Sequence, residues 1–325
     1  MTRIAVDAMG GDDAPDAIVA GAVEAVRAGH DVVLVGDEAR IRPKIPRRVE
    51  IEIVHTDDAV GMGDAPASIR RREGCSVRRT MQLVRDGRAD AAVSCGSTGA
   101  TLVAAVLDLG TLEGAERPAI ATVLPRRDGG RLFLLDAGAN VDCRPELLAC
   151  FAQLGAAYAE VSGVEDPRIG LLANGTEEGK GNMQVRATLP LLRSHDLNVV
   201  GNVEPLGAMA GDCDVLVCDG FVGNILLKAA EGAVLTVVTL LREEILRYPS
   251  GRLGALLLRG ALKRFRSRVE WDAHGGALLL GTRGVVVVGH GRANAQAVAS
   301  AIAMADRNVS VGLIGRMSDR LASQR

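Results

Sequence analysis

The feature that most constrains this chain is a junction it repeats six times: a short apolar run, then a glycine-bearing turn, then helical spacing. Residues 4–6 lead into Asp7-Ala8-Met9-Gly10-Gly11-Asp12, and 89–93 into Ser94-Cys95-Gly96-Ser97-Thr98-Gly99-Ala100. Residues 132–135 lead into Asp136-Ala137-Gly138-Ala139-Asn140, and 169–172 into the 174–182 stretch Asn-Gly-Thr-Glu-Glu-Gly-Lys-Gly-Asn. Residues 215–218 precede Asp219-Gly220-Phe221-Val222-Gly223-Asn224, and 285–288 precede His290-Gly291-Arg292-Ala293-Asn294. Further strand-like runs fall at 31–35, 51–54, 119–123 and 197–200, with helical patterns at 16–28, 75–85, 98–109 and 145–161. Such alternation predicts an α/β fold with a largely parallel sheet flanked by helices.

The composition fits that sheet. Only 2% of residues are aromatic and 39 are glycine, so the core must be packed from Val, Leu, Ile and Ala, as buried parallel sheets often are. No internal repeat, low-complexity tract or linker divides the 325 residues, which predicts one two-lobed unit spanning 1–325. A formal charge of -2 argues against a nucleic-acid partner. The six cysteines make no C-x-x-C pair and the five histidines are scattered, so no metal site is expected and reduced thiols are. Met1-Thr2-Arg3 runs straight into a strand-like segment, and apolar runs fall short of the roughly 20 residues of a membrane span. A cytoplasmic protein is the expectation.

Loops at the carboxyl ends of strands in such sheets build ligand sites, and each helix starting there offers unpaired N–H groups. Six glycine turns of like chemistry are therefore expected on one sheet edge, around a phosphate-like anion. Lys180, between Gly179 and Gly181, is placed to meet its charge. Each turn taken singly also has a plain reading, in which glycine permits the turn and Ser, Asn or Asp caps the helix. The P-loop spacing is absent, no strand leads into G-x-G-x-x-G with a following acidic residue, and no G-x-S-x-G elbow is present. A nucleotide-dependent dehydrogenase and a serine hydrolase are thus disfavoured. His290 suits either general acid–base work or a structural hydrogen bond. Without an activated nucleophile, direct reaction between bound substrates is the preferred mechanism.

Taken together and in order, these turns resemble the bacterial phosphate acyltransferases (acyl-carrier-protein:phosphate transacylases). The pieces are I-A-V-D-A-M-G-G-D at 4–12, M-G-D-A-P at 62–66, S-T-G-A at 97–100, R-P-A at 117–119 and D-A-G-A-N at 136–140. They continue with G-T-E-E-G-K-G-N at 175–182, D-G-F-V-G-N at 219–224 and H-G-x-A-N at 290–294. The resemblance implies an isocitrate/isopropylmalate-dehydrogenase-like fold, a homodimer and no metal or organic cofactor. It implies that orthophosphate attacks the thioester of a long-chain acyl group on acyl carrier protein, giving acyl phosphate for phospholipid synthesis. In the reading that joins residues to reaction, Lys180 and the 97–100 turn hold phosphate, while Asn140, Asn224 and His290 position or polarise the thioester. Asp7, Gly10, Gly11, Ser97, Thr98, Gly99, Gly138, Glu177, Asp219, Gly223 and Asn294 complete the expected substrate-binding set. Three places depart from the family pattern: Ser97 stands where asparagine is usual, Ala173-Asn174 displaces an asparagine by one position, and Trp271-Asp272-Ala273-His274 replaces a tyrosine-rich version. Rival readings are a phosphotransacetylase-like enzyme using acyl-coenzyme A and a catalytically silent binding protein of the same fold.

The 242–270 region is expected to form a helical amphipathic excursion. From 247 to 268 it carries Arg247, Arg252, Arg259, Lys263, Arg264, Arg266 and Arg268 and no acidic residue. On one continuous helix, Arg252, Arg259, Lys263 and Arg266 share a face opposite Leu253, Leu257, Leu258, Ala261, Leu262 and Phe265. Such a face suits peripheral contact with an anionic membrane, docking of the acidic carrier protein, or packing against core or dimer partner.

Overall fold

The computed structural model describes residues 2–269 and 276–323, without the side chains of 266–269. The Arg266 and Arg268 side chains and the departure at 271–274 therefore lie outside the described residues. The strands are β1 (Arg3–Asp7), β2 (Asp31–Gly36), β3 (Glu52–His55), β4 (Ala91–Ser94), β5 (Ala119–Pro125), β6 (Arg131–Leu135), β7 (Arg168–Leu172), β8 (Asn198–Val203), β9 (Val215–Val217), β10 (Ala277–Leu280) and β11 (Val285–Val288). Between the early strands lie α1 (Asp16–Arg27), α2 (Glu38–Ile41), α3 (Ser76–Arg85), α4 (Thr98–Asp108) and α5 (Pro145–Val161). The later helices are α6 (Met183–Arg193), α7 (Pro205–Ala210), α8 (Gly220–Arg247), α9 (Pro249–Leu257), α10 (Arg259–Val269), α11 (Ala295–Ser310) and α12 (Leu313–Ala322).

All eleven strands join one sheet, in the order β3-β2-β1-β4-β11-β10-β5-β6-β9-β7-β8. Alternate side chains feed its two faces, as a period of two requires. Phe133 and Leu135 of β6 pack on one face with α1, α5 and α11, while Leu132 and Leu134 pack on the other with α3 and α4. With so few rings available, valine, leucine, isoleucine and alanine fill both layers, and Phe133 meets Tyr158 edge-on at 5.0 Å. A buried, bidentate Arg78–Asp108 pair at 2.7 and 2.8 Å ties α3 to the C-terminal end of α4.

The strand that went unread in the sequence is β10, and with the β5–β6 hairpin it decides the topology. β1, β2, β3, β4 and β11 run one way, as does β5, because β10 lies antiparallel to both β11 and β5. The hairpin around Asp128-Gly129 then reverses direction, and β9, β7 and β8 follow β6 in parallel. The sheet is largely parallel within each half, but the halves oppose one another. The six glycine turns therefore do not share an edge: those after β1, β4 and β11 end one half, and those after β6, β7 and β9 end the other.

α8 leaves the body after its first turn, where Gly220 and Gly223 are its buried residues. By length and apolar composition this 28-residue helix is enough to cross a membrane, contrary to the expectation that no segment would reach that length. Beyond it the amphipathic stretch breaks at Leu258 into α9 and α10, so the face drawn on one continuous helix is divided. Leu253, Leu257, Leu258 and Phe265 are exposed.

Candidate functional site

The first strand-end group is assembled around Asp7. The carboxylate is 2% exposed and closes β1. Its Oδ2 accepts the Ser94 hydroxyl from the end of β4 at 2.8 Å, and its Oδ1 accepts the Met9 N–H at 3.2 Å. Burial pushes its pKa up, opposed by hydroxyl donors from Ser76 and Ser94 and by the Met9 and Gly10 N–H groups. Gly10 rests on the neighbouring turn so closely that a Cβ would stand 2.8 Å from Gly96 N and 2.6 Å from Asp7 Oδ2. The Asp12 N–H donates to the Gly291 carbonyl at 2.7 Å, which joins the turn after β11. Beneath them Cys95 is a buried thiol pushed up to about 12 by burial, which removes it as a nucleophile.

At the mouth of this group α4 begins. Ser97 caps it, with Oγ accepting the Ala100 N–H at a long 3.5 Å, and the Ser97 carbonyl accepts the Thr101 N–H. Among the described residues nothing claims the N–H groups of Thr98 and Gly99, and Thr98 is exposed. Gly99 faces Pro66 of the 62–66 segment, and Gly291 faces Met62, so that segment overlies the group. His290 is exposed, and Asn294 spends its Oδ1 on capping α11 through the Ala297 N–H at 2.9 Å.

The second group is assembled around Asp136, which closes β6 and is wholly buried. Its Oδ1 accepts N–H groups of Ile120, Gly138 and Ala139 at 3.0, 3.0 and 2.9 Å. Its Oδ2 accepts the Asn140 N–H at 2.7 Å and the Asn140 side-chain amide at 2.8 Å. Burial raises this carboxyl too, against those donors. The second Asn140 amide hydrogen goes to the Pro118 carbonyl at 2.9 Å, and Asn140 is 5% exposed. Asn140 is therefore built into the loop; it offers no amide to a thioester.

The Asn140 carbonyl accepts the Gly220 N–H at 2.7 Å, which seats the start of α8. Asp219 caps that helix by accepting the Val222 N–H at 2.9 Å. A Cβ on Gly223 would overlap the Asp136 carbonyl oxygen, so only glycine permits this approach. Asn224, one residue on, is exposed beside Gly138. The loop after β7 reaches this group through Gln184, whose side-chain amide donates to the Cys143 carbonyl at 2.6 Å. In that loop the Lys180 stem and the Glu177 carboxylate close over Gly175, where a Cβ would meet Lys180 Cγ at 2.8 Å. The displaced Asn174 accepts the Gly181 N–H at 2.9 Å, and Asn202 of β8 holds the Glu177 carbonyl at 2.9 Å. Lys180 is exposed and makes no ion pair among the described residues.

The expected single cluster is thus divided. Asp7, Gly10, Gly11, Ser97, Thr98, Gly99, His290 and Asn294 form the first group; Asn140, Gly138, Glu177, Lys180, Asp219, Gly223 and Asn224 the second. Lys180 and the 97–100 turn, expected to hold one phosphate together, end oppositely directed halves of the sheet. Ser97, Asp219 and Asn294 fulfil the capping role that turn residues were also expected to have. Ser94 and Asp136 were missed as organising residues. The available signal was repetition, since an aspartate directly ends an apolar run at Val6-Asp7, Leu135-Asp136 and Cys218-Asp219. Among the described residues no group of three or more His, Cys, Asp or Glu side chains is arranged to hold a metal ion.

Comparison with known proteins places this geometry. The family described as fatty acid synthesis protein matches residues 2–316. A phosphate acyltransferase of Thermus thermophilus is 47% identical over 323 residues, covering 99% of each chain. Among solved structures, a phosphotransacetylase from Streptococcus pyogenes superposes with a TM-score of 0.65 at 18% identity, covering 95% of this chain and 94% of that one. A 4-hydroxythreonine-4-phosphate dehydrogenase from Klebsiella pneumoniae gives 0.54 at 14% identity, covering 95% and 99%. These two likenesses concern the fold, and they bear out the dehydrogenase-like architecture.

Proposed function

The chain belongs to the fatty acid synthesis protein family, as a phosphate acyltransferase, and on that premise we propose that its acyl donor is a long-chain thioester of acyl carrier protein. Orthophosphate oxygen attacks the thioester carbonyl, the carbon–sulfur bond breaks, the carrier thiol leaves with a proton, and acyl phosphate is released for phospholipid synthesis. The observation that carries this reading is the open start of α4. Two unclaimed N–H groups, the Thr98 hydroxyl and His290 stand where a small anion is held by backbone amides rather than by a nucleotide fingerprint. Phosphate supplies its own nucleophile, so the protein's task is to hold it and to stabilise the developing oxyanion. Lys180, Asn224 and Glu177 suit the thioester side of that task.

Because the two groups end opposite halves of the sheet, we read the enzyme as a homodimer in which one protomer's Lys180 group faces its partner's Thr98 group. The exposed apolar residues of α8, including Leu235, Leu240 and Leu241, support a second copy. The exposed leucines of α9 with the cations of α10 support peripheral contact with the inner face of a membrane from the cytoplasm. One two-lobed unit spans the chain, and it works without a metal or organic cofactor.

Incubating long-chain acyl carrier protein with labelled phosphate tests the chemistry, with acyl phosphate as the expected product. Turnover with acetyl-coenzyme A alone would replace the donor, and inertness toward both would make this a binding protein. Mixing Lys180→Ala with Thr98→Val protomers tests the shared site. At phosphate well below KM, where both variants are impaired, activity in the mixture above that of either variant alone is expected; a mixed dimer no more active than its parents would refute it.

A further inference from the structure

We propose that Asp136 is a positioning residue for the transfer reaction, holding Asn224 in aim through the 136–140 loop and the first turn of α8. The inference rests on the reading that Asn224 faces substrate.

Asp136 has a charge to place and, among the described residues, no cation that pairs with it. Its oxygens are satisfied by neutral donors, three on Oδ1 and two on Oδ2. Those donors include the N–H of every residue from Gly138 to Asn140, so one carboxylate dictates the path of that loop. The loop then dictates the start of α8, because the Asn140 carbonyl takes the Gly220 N–H and Gly223 lies against the Asp136 backbone. Asn224 follows directly, over Gly138, with its Cβ, Cγ and Oδ1 all 3.6–3.7 Å from where a Gly138 Cβ would be. The Asn224 side chain makes no hydrogen bond among the described residues, so its aim is inherited from this chain of contacts.

The chemistry makes the claim selective. An amide in place of the carboxylate has the same shape, yet either orientation points its NH₂ at two or more N–H donors. Asp136→Asn must therefore open the loop, whereas loss of the Asn140 amide by Asn140→Ala withdraws one donor from Oδ2 and perturbs it less. Neither residue touches substrate in this arrangement. Their effects on turnover must pass through Asn224.

The test is a double-mutant cycle on acyl phosphate formation, with thermal midpoints recorded alongside. Asn224→Ala should lower kcat at least tenfold with the melting midpoint unchanged. Asp136→Asn should lower both kcat and the midpoint, and in the Asn224→Ala background should lower the midpoint again while changing kcat less than twofold. Asn140→Ala, the milder lesion, should repeat that pattern if Asp136→Asn fails to fold. Multiplying losses of kcat in the double variants would overturn the inference while leaving Asn224 in the site. Full activity of Asn224→Ala would remove Asn224 from the site, and the inference with it.

Discussion

Two buried aspartates close strands in the two halves of the sheet, and their surroundings have opposite consequences. Asp7 is tied sideways, to hydroxyls of Ser94 and Ser76, so its turn is fastened to a neighbouring turn while the start of α4 stays open. Asp136 is tied by four donors of its own loop and by the Ile120 N–H of β5, and the N–H groups of Gly220, Val222 and Gly223 are already taken by Asn140 and Asp219. The first arrangement leaves backbone donors for a ligand. The second spends most of them and presents side chains instead. Similar glycine turns can thus be a receptor in one half and a clasp in the other, and what separates them is where the buried carboxylate finds its donors.

The comparison is most exposed to failure at the side chains themselves. Lys180→Ala should reduce acyl phosphate formation by roughly 10²–10³-fold, as removal of a transition-state donor does, with an unchanged melting midpoint. Retained activity would empty the second half of its chemistry. The carboxylates come next. Asp136→Asn should cost about 2–3 kcal/mol in urea denaturation, because a buried donor is left facing donors. Asp7→Asn should cost less than about 1 kcal/mol, since the serine hydroxyls can turn to accept from the new amide. Equal losses would erase the distinction between the two sites.

A smaller effect is expected at the anion mouth. Thr98→Val should raise KM for phosphate about tenfold, the value of one hydrogen bond to a charged group, with kcat nearly kept. The smallest effect concerns pH. Burial raises the Asp7 carboxyl in the folded protein, so its favourable contribution is fully present below the unfolded pKa of about 3.9 and is lost as pH rises through the folded pKa. The stability of the wild type relative to Asp7→Asn should accordingly fall as pH is raised from 4, measured by urea midpoints. A rising difference would mean that hydrogen bonding, not burial, governs this carboxyl.

Strand positions were legible in the sequence because the runs are bounded by turn residues and most of them, unlike β3 and the start of β8, are buried on both faces. The missed strand, Ala277–Leu280, has no β-branched residue and reads equally well as helix. Direction was the larger loss. Helices between strands suggest parallel crossovers throughout, yet Asp128-Gly129 between the runs of β5 and β6 is a hairpin signal, and that one hairpin sets β6, β7, β8 and β9 opposite to β1–β5, while β11 returns to the first direction. The members of each group were legible as residue types; their division was not, because it depends on β10 and that hairpin. The role of Asn140 was unreadable for another reason: an amide meeting a substrate and an amide bonded to a buried carboxylate look alike in sequence.

The sheet order also sets a timetable for a chain emerging from the ribosome. β11 lies between β4 and β10, so the far edge of β4 has no neighbour until the last fifth of the chain has been made. At about 5–20 residues per second that wait lasts roughly 10–40 s, during which Ala91–Ser94, a strand buried along its whole length in the finished fold, offers an open edge. The half built on β6, β9, β7 and β8 meets no such delay, because each of its strands finds its partner within one continuous stretch of chain. The Asp136 half can therefore be assembled while the Asp7 half is still waiting for its final strand, and chaperones that guard unpaired edges would be needed at one end of this protein and not the other.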